Sequence, residues 1–222
     1  MAELTLILAS NSPRRRELLG WTGWRFTSAP ADIDENPLPA ESPMEHVERL
    51  AEAKARKAGE SCPPDCVVLG ADTIVVDGDE ILGKPADAAD AARILLRLRG
   101  RTHMVYTALA LFRPVDGTLL KDRCMTAVPM RNYSTAEMEA YIATGDPLDK
   151  AGAYAIQHPG FHPVENFSGC FACVMGFPFC HLVRCLRKWG FHPPLDVPAA
   201  CQTGLNYSCP VYPDILNEVP VE

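Results

Sequence analysis

Apolar and polar residues follow three rhythms along the chain, and each rhythm predicts a different element. Leu4 to Ala9 and Val67 to Ala71 are near-continuous apolar runs, the pattern of strands buried on both faces. Helical spacing governs Val47, Leu50 and Ala51, then Ala91, Ile94, Leu95 and Leu98, and finally Phe179, Leu182, Val183 and Leu186. Polar caps mark where helices start. Ser12 precedes Pro13 at a first helical position, and Ser42 with Glu45 forms a capping box whose helix runs to about Gly59. Asp87 opens the second stripe, closed by Gly100, and Ser134 with Glu137 is another capping box whose helix ends at Gly145.

The third rhythm is strand, turn, strand. MVYTALALF and LLKDRCMTAVPM flank the turn-rich PVDG and predict a long antiparallel hairpin. TIVVDGDEIL predicts a second one, with Asp77-Gly78 as its turn. That register sets Asp72 opposite Gly83 and diagonal to Lys84. Residues 145–176 read as loop-rich. Beyond Gly190 six prolines fall among the last 32 residues, which predicts an irregular tail over 191–222 after one domain over 1–190. Strands alternating with helices make the fold class α/β.

Composition narrows the function. The chain has 222 residues, 47% of them hydrophobic and 22% charged, enough for one core or one core with two lobes around a cleft. Its formal charge of −7 argues against a partner that is a nucleic acid polymer, which demands a basic face. No apolar run approaches membrane-spanning length. LTLILA is too short for the apolar core of a secretory signal, and Glu3 stands where a positive flank belongs, so a reducing cytoplasm is expected. The nine cysteines are an odd number for a disulfide framework. Cys170 and Cys173 form a CxxC, readable as a metal or redox pair or as buried thiols.

Against this acidic background, Arg14, Arg15 and Arg16 crowd the first turn of a helix. Cations there oppose the helix dipole. Either the turn is simply solvated, or backbone N–H groups and forked guanidiniums together hold a small anion such as phosphate. Lys54 extends the stripe Val47, Leu50, Ala51, so its stem faces the core, and its ammonium either snorkels out or meets an anion in a cleft. Asp72 ends the VVLGA strand, where open α/β sheets tend to place ligands. With Lys84 it forms either a structural pair or part of a polyphosphate site.

SNSPRRREL, EAKA, GADTIV, LGKP and DKAGAYAIQ, in this order and over about residues 4–190, resemble the Maf proteins, a family of nucleoside triphosphate pyrophosphatases. The resemblance implies a fold like that of inosine triphosphatases: an elongated, twisted mixed sheet with flanking helices and a cleft between two lobes. It implies hydrolysis of a nucleoside triphosphate to monophosphate and pyrophosphate, with a divalent cation, Mg²⁺ or Mn²⁺, as cofactor. Asp72 matches the family's catalytic base. Ser10, Arg15, Lys54, Lys84 and Lys150 match its substrate cleft, and Glu35 a further acid that would hold the metal together with Asp72. Arg14, Thr73 and Gln157 match the branch that hydrolyses dTTP and UTP; the 7-methyl-GTP branch has Trp, Gln and Glu there. The loop QHPGFHPVENFSG departs from the family pattern after Gln157, and the tail matches no part of it.

Alternative readings are a nucleotide-sensing regulator of cell division with little turnover, a 7-methyl-GTP pyrophosphatase, and a cysteine protein built on Cys170 and Cys173. The expected partner is a small nucleotide, with no membrane, and a homodimer is compatible with the sequence.

Overall fold

The structure, a computed structural model, describes residues 4–218. Glu3 and the last four residues of the tail, both used above, lie outside the described residues. The buried strand β1 (Leu6–Leu8) leads into α1 (Pro13–Gly20), whose Ser12 cap accepts the Arg15 N–H. β2 (Phe26–Ser28) pairs in parallel with β1 on one side. After α2 (Pro43–Gly59), β3 (Val67–Asp77) pairs in parallel with β1 on the other. β4 (Glu80–Leu82) turns back on β3, and α3 (Ala88–Leu98) follows under its Asp87 cap. The long hairpin of β5 (Thr102–Arg113) and β6 (Thr118–Pro129) completes a six-stranded mixed sheet ordered β2-β1-β3-β5-β6, with β4 attached to β3. α4 (Thr135–Ala143) follows with its own capping box.

The sheet has a gap along one edge of β3. β1 and β4 share one edge of β3 without meeting: β1 covers Val67 to Leu69, and β4 covers Val75 to Asp77. Gly70 to Ile74 therefore have no strand beside them on that edge, while β5 pairs along the opposite edge from Val68 to Val76. Asp72 stands in the middle of the gap.

Alternation along β3 sorts its side chains between two faces. Ile74 and Val76 pack under Val47, Ala51 and Ala55 of α2. Gly70 lets that helix come close, because a Cβ there would lie 2.1 Å from the Ala51 carbonyl oxygen. On the other face Leu69, Ala71, Leu109 and Leu111 join one core cluster with Leu18 and Leu19 of α1. Val75 and Val105 join a second cluster with Ile94, Leu95 and Leu98 of α3. Burying each of those three α3 side chains contributes about 1.5–3 kcal/mol.

Two expectations are corrected here. The hairpin turn consists of Gly78 and Asp79, not Asp77 and Gly78: Val75 pairs with Leu82 and Asp77 with Glu80. Gly78, with a φ of 66°, takes the first turn position, which shifts the register. β4 ends at Leu82, so neither Gly83 nor Lys84 is a ladder neighbour of Asp72. The segment after Gly190 is not irregular either. Asp196 caps α7 (Val197–Leu205), with Pro198 in its first turn, after the short α5 (Phe171–Val174) and α6 (Phe179–Lys188) of the main core. α8 (Tyr212–Leu216) follows, with Pro213 in its first turn. Val197 and Ile215 are buried, and Arg184 Nη1 donates to the Ile215 carbonyl. A small cavity of about 10 Å³ between this tail and α6, lined by Cys170, Phe179, Cys180, Cys201, Leu205 and Tyr207, lies away from the gap.

Candidate active site

The capping box at Ser42 fixes the start of α2, and three further turns along its buried stripe lies Lys54. Its ammonium does not reach solvent. Nζ sits 2.7 Å from Asp72 Oδ1 and 2.6 Å from Glu35 Oε1, with Lys54 and Asp72 both buried. Two carboxylates thus converge on one ammonium at the sheet gap. Burial works to raise the Glu35 carboxyl, but its hydrogen bond to Lys54, and the charges of Lys54, Lys84 and Arg15, outweigh it and hold that carboxyl below its ordinary value.

Arg15 turns inward rather than out toward solvent. Nη1 donates to the Ala71 carbonyl at 2.8 Å, Nη2 to Thr73 Oγ1 at 3.1 Å, and Nε to the Gly176 carbonyl at 3.0 Å. The open edge of β3 explains this choice: with no strand beside it, the Ala71 carbonyl needs a donor. Burial lowers the guanidinium from its ordinary value, and the charges of Asp72 and Glu35 work against that. Gly176, with a φ of 88°, makes room for the arrangement, since a Cβ there would lie 2.9 Å from Thr73 Oγ1. Of the paired arginines read as phosphate forks, Arg15 thus spends three of its five donors on the protein, and Arg14 is the half-buried one left for an anion.

Ser10 is buried at the end of β1, its Oγ accepting the Ser12 N–H at 3.1 Å. Lys84 is exposed past the end of β4, and its charge reaches Glu35. Lys150 is held by Asp146 at 3.0 Å and Asp149 at 2.6 Å. Its loop docks on the hairpin end beside Lys84 through the Gly152 N–H and Gly83 carbonyl. Gln157 is exposed in a turn. Thr73 does not share a face with Asp72: its hydroxyl is engaged by Arg15 and by Thr107 on the other side of the sheet. Ser10, Arg15, Glu35, Lys54 and Asp72 gather at the gap, whereas Thr73 reaches it only by its hydrogen bond from Arg15, and Lys150 and Gln157 lie on the neighbouring loop.

Three functional neighbours have no signal in the motifs. Glu41 and Arg49 pair at 2.5 Å, and Arg49 Nη2 donates to the Asn36 carbonyl, pinning the loop that carries Glu35. Thr107 sits directly across from Thr73. Long-range pairs of this kind become visible only once the strands are in register.

Glu35 and Asp72 are hard oxygen donors brought together on Lys54, each with a second carboxylate oxygen besides the one on the ammonium, a donor set that suits a cation completing its shell with phosphate and water. Among the described residues no three His, Cys, Asp or Glu side chains form a metal cluster. Cys170 and Cys173 are buried, and Cys173 Sγ lies 3.3 Å from the Cys124 carbonyl oxygen.

The model of the family described as Maf-like protein matches residues 5–189. The chain belongs to the Maf family. Among curated relatives, a protein of Citrifermentans bemidjiense named dTTP/UTP pyrophosphatase is 46% identical over 190 residues, 86% of this chain and 98% of its own. A protein of the same name from Geobacter sp. (strain M21) is 45% identical, with the same coverage. One from Dehalococcoides mccartyi, also so named, is 37% identical and covers 92% of this chain and 95% of its own. That coverage reaches past Gly190, so part of the tail has a counterpart in this relative. The solved structure of the Staphylococcus aureus Ham1 protein is 12% identical and covers 74% of this chain and 80% of its own, at a TM-score of 0.43, too loose a likeness to carry an argument.

Proposed function

We propose that this Maf-family chain hydrolyses nucleoside triphosphates, dTTP and UTP foremost, to the monophosphate and pyrophosphate in the cytoplasm. The observation that carries this reading is the buried Lys54–Asp72 pair at the gap in the sheet, joined from the surface by Glu35, with the charges of Lys84 and Arg14 close by. It agrees with the names of relatives about 45% identical.

The chemistry follows from the charges. Water attacks the α-phosphorus and pyrophosphate leaves, so the site must accept a proton and offset charge growing on phosphate oxygens. Asp72 takes the proton of that water. Lys54 holds the Asp72 carboxylate in place through its hydrogen bond, while Arg14, Lys84 and the N–H groups at the start of α1 bind phosphate oxygens. Ser10, with its lone pair turned to Ser12, has its hydroxyl proton left for the same oxygens. Glu35 and Asp72 would hold Mg²⁺ or Mn²⁺, which when bound supplies further charge neutralisation. Lys150 adds a cation on the neighbouring loop. The amide of Gln157 both donates and accepts, matching the alternating edge of uracil or thymine, and the positive charge of Arg14 disfavours the cationic base of 7-methyl-GTP.

A panel of nucleoside triphosphates assayed for pyrophosphate with Mg²⁺ and with Mn²⁺ tests this directly. UTP and dTTP should lead, with 7-methyl-GTP poor, and Gln157→Glu should change the ranking. A preference for 7-methyl-GTP overturns the base assignment. No pyrophosphate from any nucleotide favours a sensor.

A further inference from the structure

Thr107 is fully buried in the middle of β5, among apolar neighbours on its face: Val105 on one side, Leu109 and Leu111 on the other. Those neighbours belong to two different core clusters, so Thr107 and the facing Thr73 form a polar seam between them. A hydroxyl in such a place costs stability unless both its proton and its lone pairs are used.

Both are used, and the proton directions follow from the partners alone. The Cys173 carbonyl can only accept, so Thr107 Oγ1 gives it its single proton across 2.8 Å. Thr107 then has only lone pairs for Thr73, 2.9 Å away, so Thr73 donates to Thr107. Thr73 in turn keeps only lone pairs for its other side, where Arg15 Nη2 donates at 3.1 Å. The chain of bonds runs one way, from Arg15 through two hydroxyls to a backbone carbonyl. It presents Thr73 to Arg15 as an acceptor rather than as a hydroxyl free to rotate. Arg15 is at the same time bound to Gly176, and Cys173 and Gly176 belong to the same turn around α5. The relay thus locks the guanidinium to the sheet and to that turn, beside Asp72 and Glu35, whose charges it feels.

We propose that Thr107 is a positioning residue for the reaction: through Thr73 it fixes Arg15, and through Arg15 the charge balance at Asp72 and Glu35. This inference rests on the pyrophosphatase reading above. The test is a cycle of Thr107→Val, Arg15→Ala and the double variant, with Thr107→Ser as the conservative control, measured by kcat/KM for UTP and by urea unfolding. Thr107→Val keeps the shape of the side chain and strands the Thr73 hydroxyl, so kcat/KM should fall about tenfold. Thr107→Ser should recover to within about twofold, since it restores both hydrogen bonds. In the Arg15→Ala background Thr107→Val should cost little more, because its effect passes through Arg15. A purely structural role predicts independent, multiplying losses or activity that tracks urea stability, and either result overturns the relay. An inactive wild type overturns the pyrophosphatase reading and the relay's catalytic role with it; an active wild type with independent losses overturns the relay alone.

Discussion

Lys54 and Asp72 are 18 residues apart in the chain and 2.7 Å apart in the fold, and two features of the backbone bring them together. Gly70 lets α2 lie against β3 at a distance no side chain would allow, and the missing strand beside Gly70 to Ile74 leaves Asp72 at an open edge. The ammonium is shared with Glu35 from a loop that Arg49 holds at Asn36. A buried acid is thereby held by an ammonium at an open strand edge.

Replacing Asp72 with Asn keeps the shape and removes the proton acceptor, while Lys54 keeps Glu35 as its partner. Turnover of UTP should fall by about 10²–10⁴-fold, the range for loss of a general base. Steady-state pyrophosphate release, read beside a urea curve showing a folded protein, measures it. Near-normal turnover would mean that another group activates the water.

Lys54→Met removes the ammonium from two carboxylates, one of them buried. Stability should fall by about 3 kcal/mol, the cost of leaving one partner of a buried pair alone. Combining it with Asp72→Asn should restore much of that stability and none of the activity, which separates the structural part of the pair from the chemical part. Urea midpoints of the three variants decide it; a double variant as unstable as Lys54→Met would contradict it.

Away from the site, Asp122 on β6 meets Arg184 Nε at 2.5 Å and His181 Nδ1 at 3.2 Å on α6. Burial works to raise its carboxyl, but His181 and Arg184 overcome this and hold it well below the usual carboxylate range. The folded value is the lower one, so the pair stabilises the fold above the ordinary carboxylate value near 3.8 and loses that contribution as pH falls through the folded value. Asp122→Asn should cost about 3 kcal/mol at pH 6, and the two urea midpoints should begin to approach each other only as pH falls below about 4. A difference that stays constant with pH would show that the charge of Asp122 is not what binds α6 to the sheet.

Much of this was legible before the fold was seen, because it rests on local chemistry. Ser12, Ser42, Asp87 and Ser134 each cap the helix their spacing announced. The long β5–β6 hairpin follows from its flanking apolar runs. The short hairpin failed by one turn position, since DGD offers two ways to place a glycine in a two-residue loop and local pattern does not separate them. β2 is three half-exposed or exposed residues with no rhythm at all. The helices of the tail hid behind prolines that serve as first-turn residues. For the site, Lys54 was legible as a core-facing cation, but not its partners. The inward turn of Arg15 depends on an unpaired carbonyl at an open strand edge, a feature that exists only once β1 and β4 have both docked on β3.

Cutting the chain after Gly190 removes Val197 and Ile215 from the main core and takes Gly204 away from the ring of Trp21. Losing the two buried aliphatic side chains alone should cost about 3–6 kcal/mol. None of these contacts touches Asp72, Lys54 or Glu35, so kcat for UTP should stay within about twofold at a temperature where the truncated chain is folded. Thermal unfolding and turnover of the shortened protein check both halves, and lost turnover in a folded sample would place the tail at the cleft.

The central claim is attack by water on the α-phosphorus at the Glu35–Lys54–Asp72 gap, and isotope position reads it most directly. UTP hydrolysed in ¹⁸O-labelled water with Mg²⁺ should give UMP and pyrophosphate in equal amounts, with the label in UMP and its appearance abolished by Asp72→Asn. Label in pyrophosphate, or products that are UDP and orthophosphate, would contradict the account.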